Sequence, residues 1–358
     1  MTPSLPLPEG GLSWLDATGP QSNLVLSTRI RLARNLASRP FWGRNSAEDR
    51  EEIVAAVEHA ARGSVGLGDA VLYRLDGLSP SFRLWFHERQ LVSREFAGLE
   101  AAGRVRSGAA LLLGSRGSIM VNEEDHLRLQ AVHSGFDLDV SYAETDALDN
   151  ELGLRLSFAF HPEFGYLTSC PTNVGTGLRA SVMIHLPGLV LTKEIGKVLQ
   201  GLAQVGLTYR GLYGEGSDVL GNIFQLSNQT TLGKSEGELL DHLGRLVRQV
   251  VEYEMRARAA LQRDAAPALH DKVWRAYGLL RFARAISFEE MLNLLSTVRL
   301  GVGMGILPPV PLRTLNRLLV LAQTAHVAVG AELDLDDDAI PVERASLIRR
   351  LLEEEAPR

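Results

Sequence analysis

Apolar and polar positions alternate between Leu24 and Leu32. Leu24, Leu26, Ile30 and Leu32 fall on one side with Thr28, and Ser27, Arg29 and Arg31 fall on the other. A period of two predicts a strand with one buried face. Two arginines at i and i+2 on a strand point the same way, within about 7 Å of each other. Like charges at that spacing repel unless an anion lies between them. A solvated strand face is the plain alternative, and Arg34 is a candidate third member. The preceding residues, 1 to about 22, are rich in Pro and Gly and are expected to lie extended.

The pattern then changes period. Residues 46–63 read as a helix with Ser46 as N-cap, Glu48 and Asp49 in the first turn and Gly63 at the end. Helical and strand-like segments alternate up to residue 117, where Arg104 and Arg106 read as surface because no apolar face accompanies them. Ser118 to Val121 read as a strand end, with Asn122 capping a helix whose first turn holds Glu123, Glu124 and Asp125. Acids are favourable there on their own account, but three carboxylates at such a junction also suit a cation. Arg128 lies one turn on, and His126 reads as a core or capping residue. A helix is expected over Ser141–Leu152, then a strand and turn to Leu167, and another helix in TKEIGKVLQGLAQVG after Pro187. Gly211, Gly214, Gly216 and Gly221 surround Glu215, which predicts a mobile loop carrying an acid, or a surface hairpin. From Ser235 the chain reads as helical. A capping signature at Ser235 and Glu238 opens a long amphipathic helix, and further helices are expected at 269–284, 287–298, 310–328 and 341–355.

The stretch Leu167–Pro187 organises the rest. It holds the only cysteine, Cys170, a Pro171-Thr172-Asn173 turn, Gly175 and Gly177, Arg179, and a core-strand pattern at Val182, Ile184 and Leu186. A thiol, hydroxyls, glycines and an arginine side by side suit a loop that meets a phosphorylated ligand. The same composition also suits a plain turn between strands, and Cys170 alone reads equally as a small buried hydrophobe. Gly233-Lys234-Ser235 is not a phosphate-binding Walker motif, because Asn228 stands where its first glycine belongs.

Composition narrows the function. The 358 residues are 45% hydrophobic and 22% charged, an ordinary balance with room for two domains. A formal net charge of -6 argues against bulk electrostatic binding of nucleic acid, though not against a local basic pocket. One cysteine excludes internal disulfides and Cys-rich metal sites. No signal peptide and no run near the ~20 apolar residues of a membrane span is evident, so a cytoplasmic protein is expected.

Four motifs in order resemble the guanidino-phosphotransferase (phosphagen kinase) family, and within it the bacterial protein-arginine kinases. They are Ser27-Thr28-Arg29-Ile30-Arg31, then Asn122-Glu123-Glu124-Asp125-His126-Leu127-Arg128, then Cys170-Pro171-Thr172-Asn173 through Gly175-Thr176-Gly177-Leu178-Arg179-Ala180-Ser181, and Arg210-Gly211 with Gly214-Glu215. The resemblance covers about residues 23–235, and more weakly 236–358. It implies an α+β fold, an antiparallel sheet flanked by helices, followed by an all-α domain. The division it implies is a catalytic domain over 1–235 and a helical domain for dimerisation or docking over 236–358. It also implies that Arg29, Arg31, Arg128, Arg179 and Arg210, with Ser27 and Thr28, surround the phosphates of ATP. Glu124 is implied as the catalytic carboxylate, Glu215 as a second one and Cys170 as the active-site thiol. Glu123 and Asp125 would hold Mg2+ through water.

The acceptor implied is an arginine on a protein, since only about 22 residues precede the first arginine strand and leave no room for a leading helical domain. A free guanidino compound such as arginine is the alternative acceptor. A non-catalytic adaptor binding nucleotide or phosphoarginine proteins is the alternative of another class. The resemblance further implies a homodimer, a stress-response role, and contact with a Clp-type unfoldase and a heat-shock repressor. One departure stands out: Ile340 and Pro341 occupy positions where the resembled proteins often carry Arg-Asp, while Arg344-Ala345 remains, which puts activation by phosphoarginine in doubt.

Overall fold

In the computed structural model, which describes residues 11–100, 103–212 and 219–354, the arginine strand is β1, Val25–Arg34. After it come α1 (Ala47–Arg62), β2 (Val71–Arg74), α2 (Pro80–Glu88), β3 (Ala110–Leu113), β4 (Ser118–Val121), β5 (Leu127–Ser134) and α3 (Leu138–Gly153). The small hairpin β6 (Phe160–His161) and β7 (Gly165–Tyr166) follows, then β8 (Leu178–His185), α4 (Pro187–Leu191), α5 (Ile195–Gln204), β9 (Leu207–Arg210) and β10 (Ile223–Asn228). The remainder is helical: α6 (Glu236–Asp264), α7 (Ala266–Phe282), α8 (Phe288–Gly303), α9 (Leu312–Leu321), α10 (Thr324–Ala331) and α11 (Ile340–Glu354). Eight strands form one sheet in the order β2-β3-β4-β5-β1-β8-β10-β9, and every neighbouring pair is antiparallel.

Register sorts the two faces. Residues directly opposite in an antiparallel pair share a face. Ile30 lies opposite Ala131 and Ala180, so these share the apolar face with Leu32, Leu129, Val182 and Leu226. That face is buried against α1, α3 and α6. Arg31 lies opposite Gln130 on one side and Arg179 on the other, so the arginines share the second face.

Capping follows the sequence. Ser46 with Asp49 and Ser235 with Glu238 each close a reciprocal capping box. Other expectations change. Asn122 does not cap a helix: it takes φ +62°, its N–H donates to the His126 carbonyl at 2.9 Å, and residues 122–126 form the turn of the β4–β5 hairpin. Residues 11–22 are not simply extended, because Ser13–Asp16 make a 3-10 turn that buries Trp14 and Leu15 in the core of the C-terminal helices. The single helix expected at 310–328 breaks at Ala322 and Gln323 into α9 and α10. The division expected after residue 235 does not coincide with a break in packing. Leu239, Leu243, Val247 and Val250 of α6 belong to the core beneath the sheet, so that packed unit runs on through α6.

Candidate active site

The second sheet face is the floor of a cavity of about 750 Å3. Arg29 and Arg31 from β1, Arg128 from β5, Arg179 from β8 and Arg210 from β9 all line it. Burial lowers the Arg29 pKa to about 10, with Arg179, Arg128 and Arg210 adding repulsion. Arg31 is also pushed well down, first by burial and then by Arg29, Arg128 and Arg179, while Glu123 opposes the shift. Its Nε is buried with no hydrogen-bond partner among the described residues. Arg179 Nη2 donates to Thr208 Oγ1 and Ser227 Oγ, both at 3.3 Å, which fixes its direction. A cluster of cations held this way is a preformed anion site.

The β4–β5 turn supplies the cavity's acidic edge. Arg128 is bridged to Glu123 at 2.7 Å and to Glu124 at 3.0 Å. Burial alone would lower the Arg128 pKa, but Glu123, Glu124 and Asp125 outweigh it and raise it. Glu123 is further tied by Ser93 Oγ at 2.7 Å. Glu124 keeps 42% of its side chain exposed towards the cavity. Burial raises its pKa, Arg128 opposes the shift, Asp125 and Glu123 add to it, and a hydrogen bond from Cys170 opposes it. Cys170 is half-buried, lines the same cavity and has Sγ 3.0 Å from Thr172 Oγ1. The central loop reaches this position because Gly177, at φ +65°, accepts from Ala33 N at 3.0 Å; a Cβ there would sit 2.6 Å from the Ala33 carbonyl oxygen.

Not every candidate converges. Asp125 is 1% exposed and does not line the cavity; its Oδ1 accepts from Asn35 Nδ2 and Ser169 N, both at 2.7 Å, so it ties the turn to the central loop. That position does not fit the expectation that it holds Mg2+ through water. Thr28 points to the other face, donating to Gly135 O at 2.7 Å and accepting from Asp137 N at 3.1 Å. Ser27 is buried and does not line the cavity. Arg34 is no third phosphate ligand: it is buried, bridged to Asp149 at 2.7 Å and laid over the Tyr166 ring at 3.5 Å. His126 is a core residue, accepting from Leu36 N on Nδ1 at 2.9 Å with Nε2 3.0 Å from Pro40 O. Glu215 lies outside the described residues. Trp42 and Arg94, which carry no expectation from the sequence, also line the cavity, as do Arg104 and Arg106, expected to be plain surface. The one signal was the Arg-x-Arg spacing at 104 and 106, set aside for want of an apolar face.

Among the described residues no group of three His, Cys, Asp or Glu side chains is placed to hold a metal. Glu123 and Glu124 are the carboxylates that the β4–β5 turn brings to the cavity, whose wall also carries Glu95 and Glu100, and Mg2+ commonly rides on phosphates with most of its waters retained. The residues therefore fit a metal that arrives with the nucleotide.

Fold and site together define a phosphotransferase acting on guanidino groups. Residues 50–257 match the ATP:guanido phosphotransferase family, C-terminal catalytic domain. The fold is shared with a solved lombricine kinase (TM-score 0.57, 23% identity, 72% of this chain and 74% of that one). It is shared too with the duplicated taurocyamine kinase of Schistosoma mansoni (TM-score 0.54, 25% identity, 67% of this chain and 33% of that one). Residues 266–358 match the protein-arginine kinase McsB C-terminal domain. The protein-arginine kinase of Symbiobacterium thermophilum is 46% identical over 95% of this chain and 96% of its own length. That of Moorella thermoacetica is 43% identical over 96% and 98%. The chain belongs to the protein-arginine kinase family.

Proposed function

We propose that the protein transfers the γ-phosphoryl group of ATP to arginine side chains of polypeptides, giving phosphoarginine and ADP. The carrying observation is the meeting, in one cavity, of a floor of five sheet arginines with the Glu124–Cys170 edge. Phosphoryl transfer needs charge neutralisation and in-line alignment more than covalent chemistry. Arg29, Arg31, Arg128, Arg179 and Arg210 would take the phosphates, and bound Mg2+ would neutralise further charge on them.

An acceptor guanidinium is a poor nucleophile while protonated, with a pKa above ~12. Glu124, a carboxylate whose pKa is raised by burial, is suited to receive its proton as the N–P bond forms. The Cys170 thiol beside Glu124 would help hold the guanidinium flat, and Glu215 is proposed as the second carboxylate. The relatives' names support a protein acceptor, and a free guanidino compound is the outcome to be tested against it. A homodimer, a cytoplasmic stress role and contact with a Clp-type unfoldase and a heat-shock repressor belong to the same proposal. Among the described residues no helix is long and apolar enough to cross a membrane.

The test is intact-mass analysis after incubation with Mg-ATP, offering an unstructured arginine-rich polypeptide and free arginine in parallel, without acid. Acid-labile phosphate on the polypeptide, absent with Glu124→Gln, is expected. Phosphate only on free arginine would replace the acceptor, and phosphate on neither would favour a binding adaptor.

A further inference from the structure

We propose that Trp42, Arg104 and Arg106 form a docking rim that selects polypeptide acceptors carrying a carboxylate beside the target arginine. The inference rests on the protein-acceptor reading above and names the sequence context that reading leaves open.

The rim is built, not incidental. Arg50 of α1 grips the loop before β3, with Nε donating to Ser107 O and Nη2 to Ser107 Oγ, both at 2.7 Å. Gly108 takes φ +76°, and a Cβ there would lie 2.8 Å from Arg50 Cβ, so the loop packs directly on α1. Asp76 Oδ2 accepts from Gly108 N at 3.0 Å. The loop is also joined to the catalytic turn, because Asn122 Nδ2 donates to Gly108 O at 2.9 Å and to Arg50 O at 3.0 Å. Arg106 lies two residues before that joint and Glu124 two residues after it. Residues flanking an arginine seated at Glu124 would therefore meet this wall, since each residue of an extended chain advances only about 3.5 Å.

The wall's chemistry suits an anion other than the nucleotide, whose phosphates have the sheet floor. The Arg106 guanidinium lies 5.1 Å from the Trp42 ring centroid and donates from Nη2 to Asn45 Oδ1 at 3.3 Å. Its Nη1 is buried with no hydrogen-bond partner among the described residues. Arg104 and Arg94 are exposed on the same wall. Glu95 and Glu100 share the wall, which keeps one net positive charge from these five groups. Trp42, 50% exposed, offers a flat apolar surface for the acceptor backbone and side-chain stems. A rim fixed before binding loses little entropy on docking.

The experiment compares kcat/KM for three peptides that differ only beside a single arginine, which carries Glu, Gln or Lys as its neighbours. With the wild-type protein the Glu peptide should exceed the Gln peptide about 5-fold, through KM, with the Lys peptide poorest. The Glu-to-Gln ratio should fall to about one in Arg104→Gln/Arg106→Gln and recover in Arg104→Lys/Arg106→Lys. Equal wild-type values for the three peptides, or a ratio unchanged in the Gln variant, would overturn the rim alone. Transfer to free arginine but to no peptide would overturn the rim together with the protein-acceptor reading.

Discussion

Arg31 of β1 and Arg179 of β8 stand directly opposite each other across the strand pair, on the cavity face. Like charges facing each other across a sheet are destabilising by roughly 0.2–1 kcal/mol. Burial already pushes the Arg31 pKa well down, and Arg29, Arg128 and Arg179 push it further. The pair is therefore a standing cost, which a phosphate placed between the two guanidinium groups, as proposed above, would offset.

That relationship predicts a trade. Arg31→Gln should raise the melting temperature of the nucleotide-free protein by about 1–3 °C, from relieved repulsion in a chain of this size. It should also remove most of the thermal shift that Mg-ATP gives, because the differential binding behind that shift is lost. Thermal melts with and without Mg-ATP check both halves. A lower melting temperature without nucleotide would count against the strained pair.

Glu124→Gln should cut transfer by about 10^2–10^4-fold, the usual worth of a positioned base, while nucleotide binding persists. The pH profile gives a second check. Burial raises the Glu124 pKa, so kcat/KM should fall on the acid side with an apparent pKa above the ordinary carboxylate value. A base works only when deprotonated, so activity is lost as pH falls, and the acid limb should vanish in the residual activity of the Gln variant.

Arg34 and Asp149 form a buried bidentate pair that joins β1 to α3, with Nε to Oδ1 at 2.9 Å and Nη2 to Oδ2 at 2.7 Å. Burial raises the Asp149 pKa, and Arg34 opposes the shift. Arg34→Met should cost about 3–5 kcal/mol, since it strands a buried carboxylate. The double change Arg34→Met/Asp149→Leu should recover much of that loss. Denaturant midpoints of the two variants decide it.

His185 is fully buried at the end of β8, with Nε2 2.8 Å from Ser296 Oγ of α8. Its pKa is pushed well below 6.5 by burial, then by Arg299 and Arg258. The unfolded chain therefore binds a proton below pH ~6.5 that the folded chain refuses, and stability falls as pH drops through that window. The slope for one such histidine approaches 1.4 kcal/mol per pH unit. His87, His126 and His326, also lowered chiefly by burial, add in the same direction. Urea unfolding at pH 7.5, 6.5 and 5.5 should show the loss, and His185→Gln should make it shallower.

Much of the site was readable before the fold. The alternation from Leu24 to Leu32 put Arg29 and Arg31 on one face because a strand's period is two, and no distant residue is needed for that. The Ser235–Glu238 capping box was readable for the same reason, since both partners lie within one turn. Misreadings fell where distant partners decide. Asn122-Glu123-Glu124-Asp125 has the composition of a helix start, yet Asn122 turns into the left-handed region because its amide is held by Arg50 O and Gly108 O. Asp125 has the same side chain as a metal ligand, but Asn35 and the Ser169 amide hold its Oδ1, and the carboxylate is buried away from the cavity.

By itself, then, the sequence determined the local periods, the caps, the order of the motifs and the chemical types available for phosphate and guanidinium. Only the tertiary structure decided which charges meet. β1 takes its neighbours β5 and β8 from about 100 and 150 residues away in the chain, and antiparallel register places Arg128 and Arg179 beside Arg29 and Arg31 rather than beneath the sheet. The same packing left Arg34 in the core and brought Arg104 and Arg106 to the cavity wall. Local sequence fixes which way a side chain points on its own strand or helix. What it points at depends on long-range pairing, which backbone hydrogen bonds and burial of the opposite face select together.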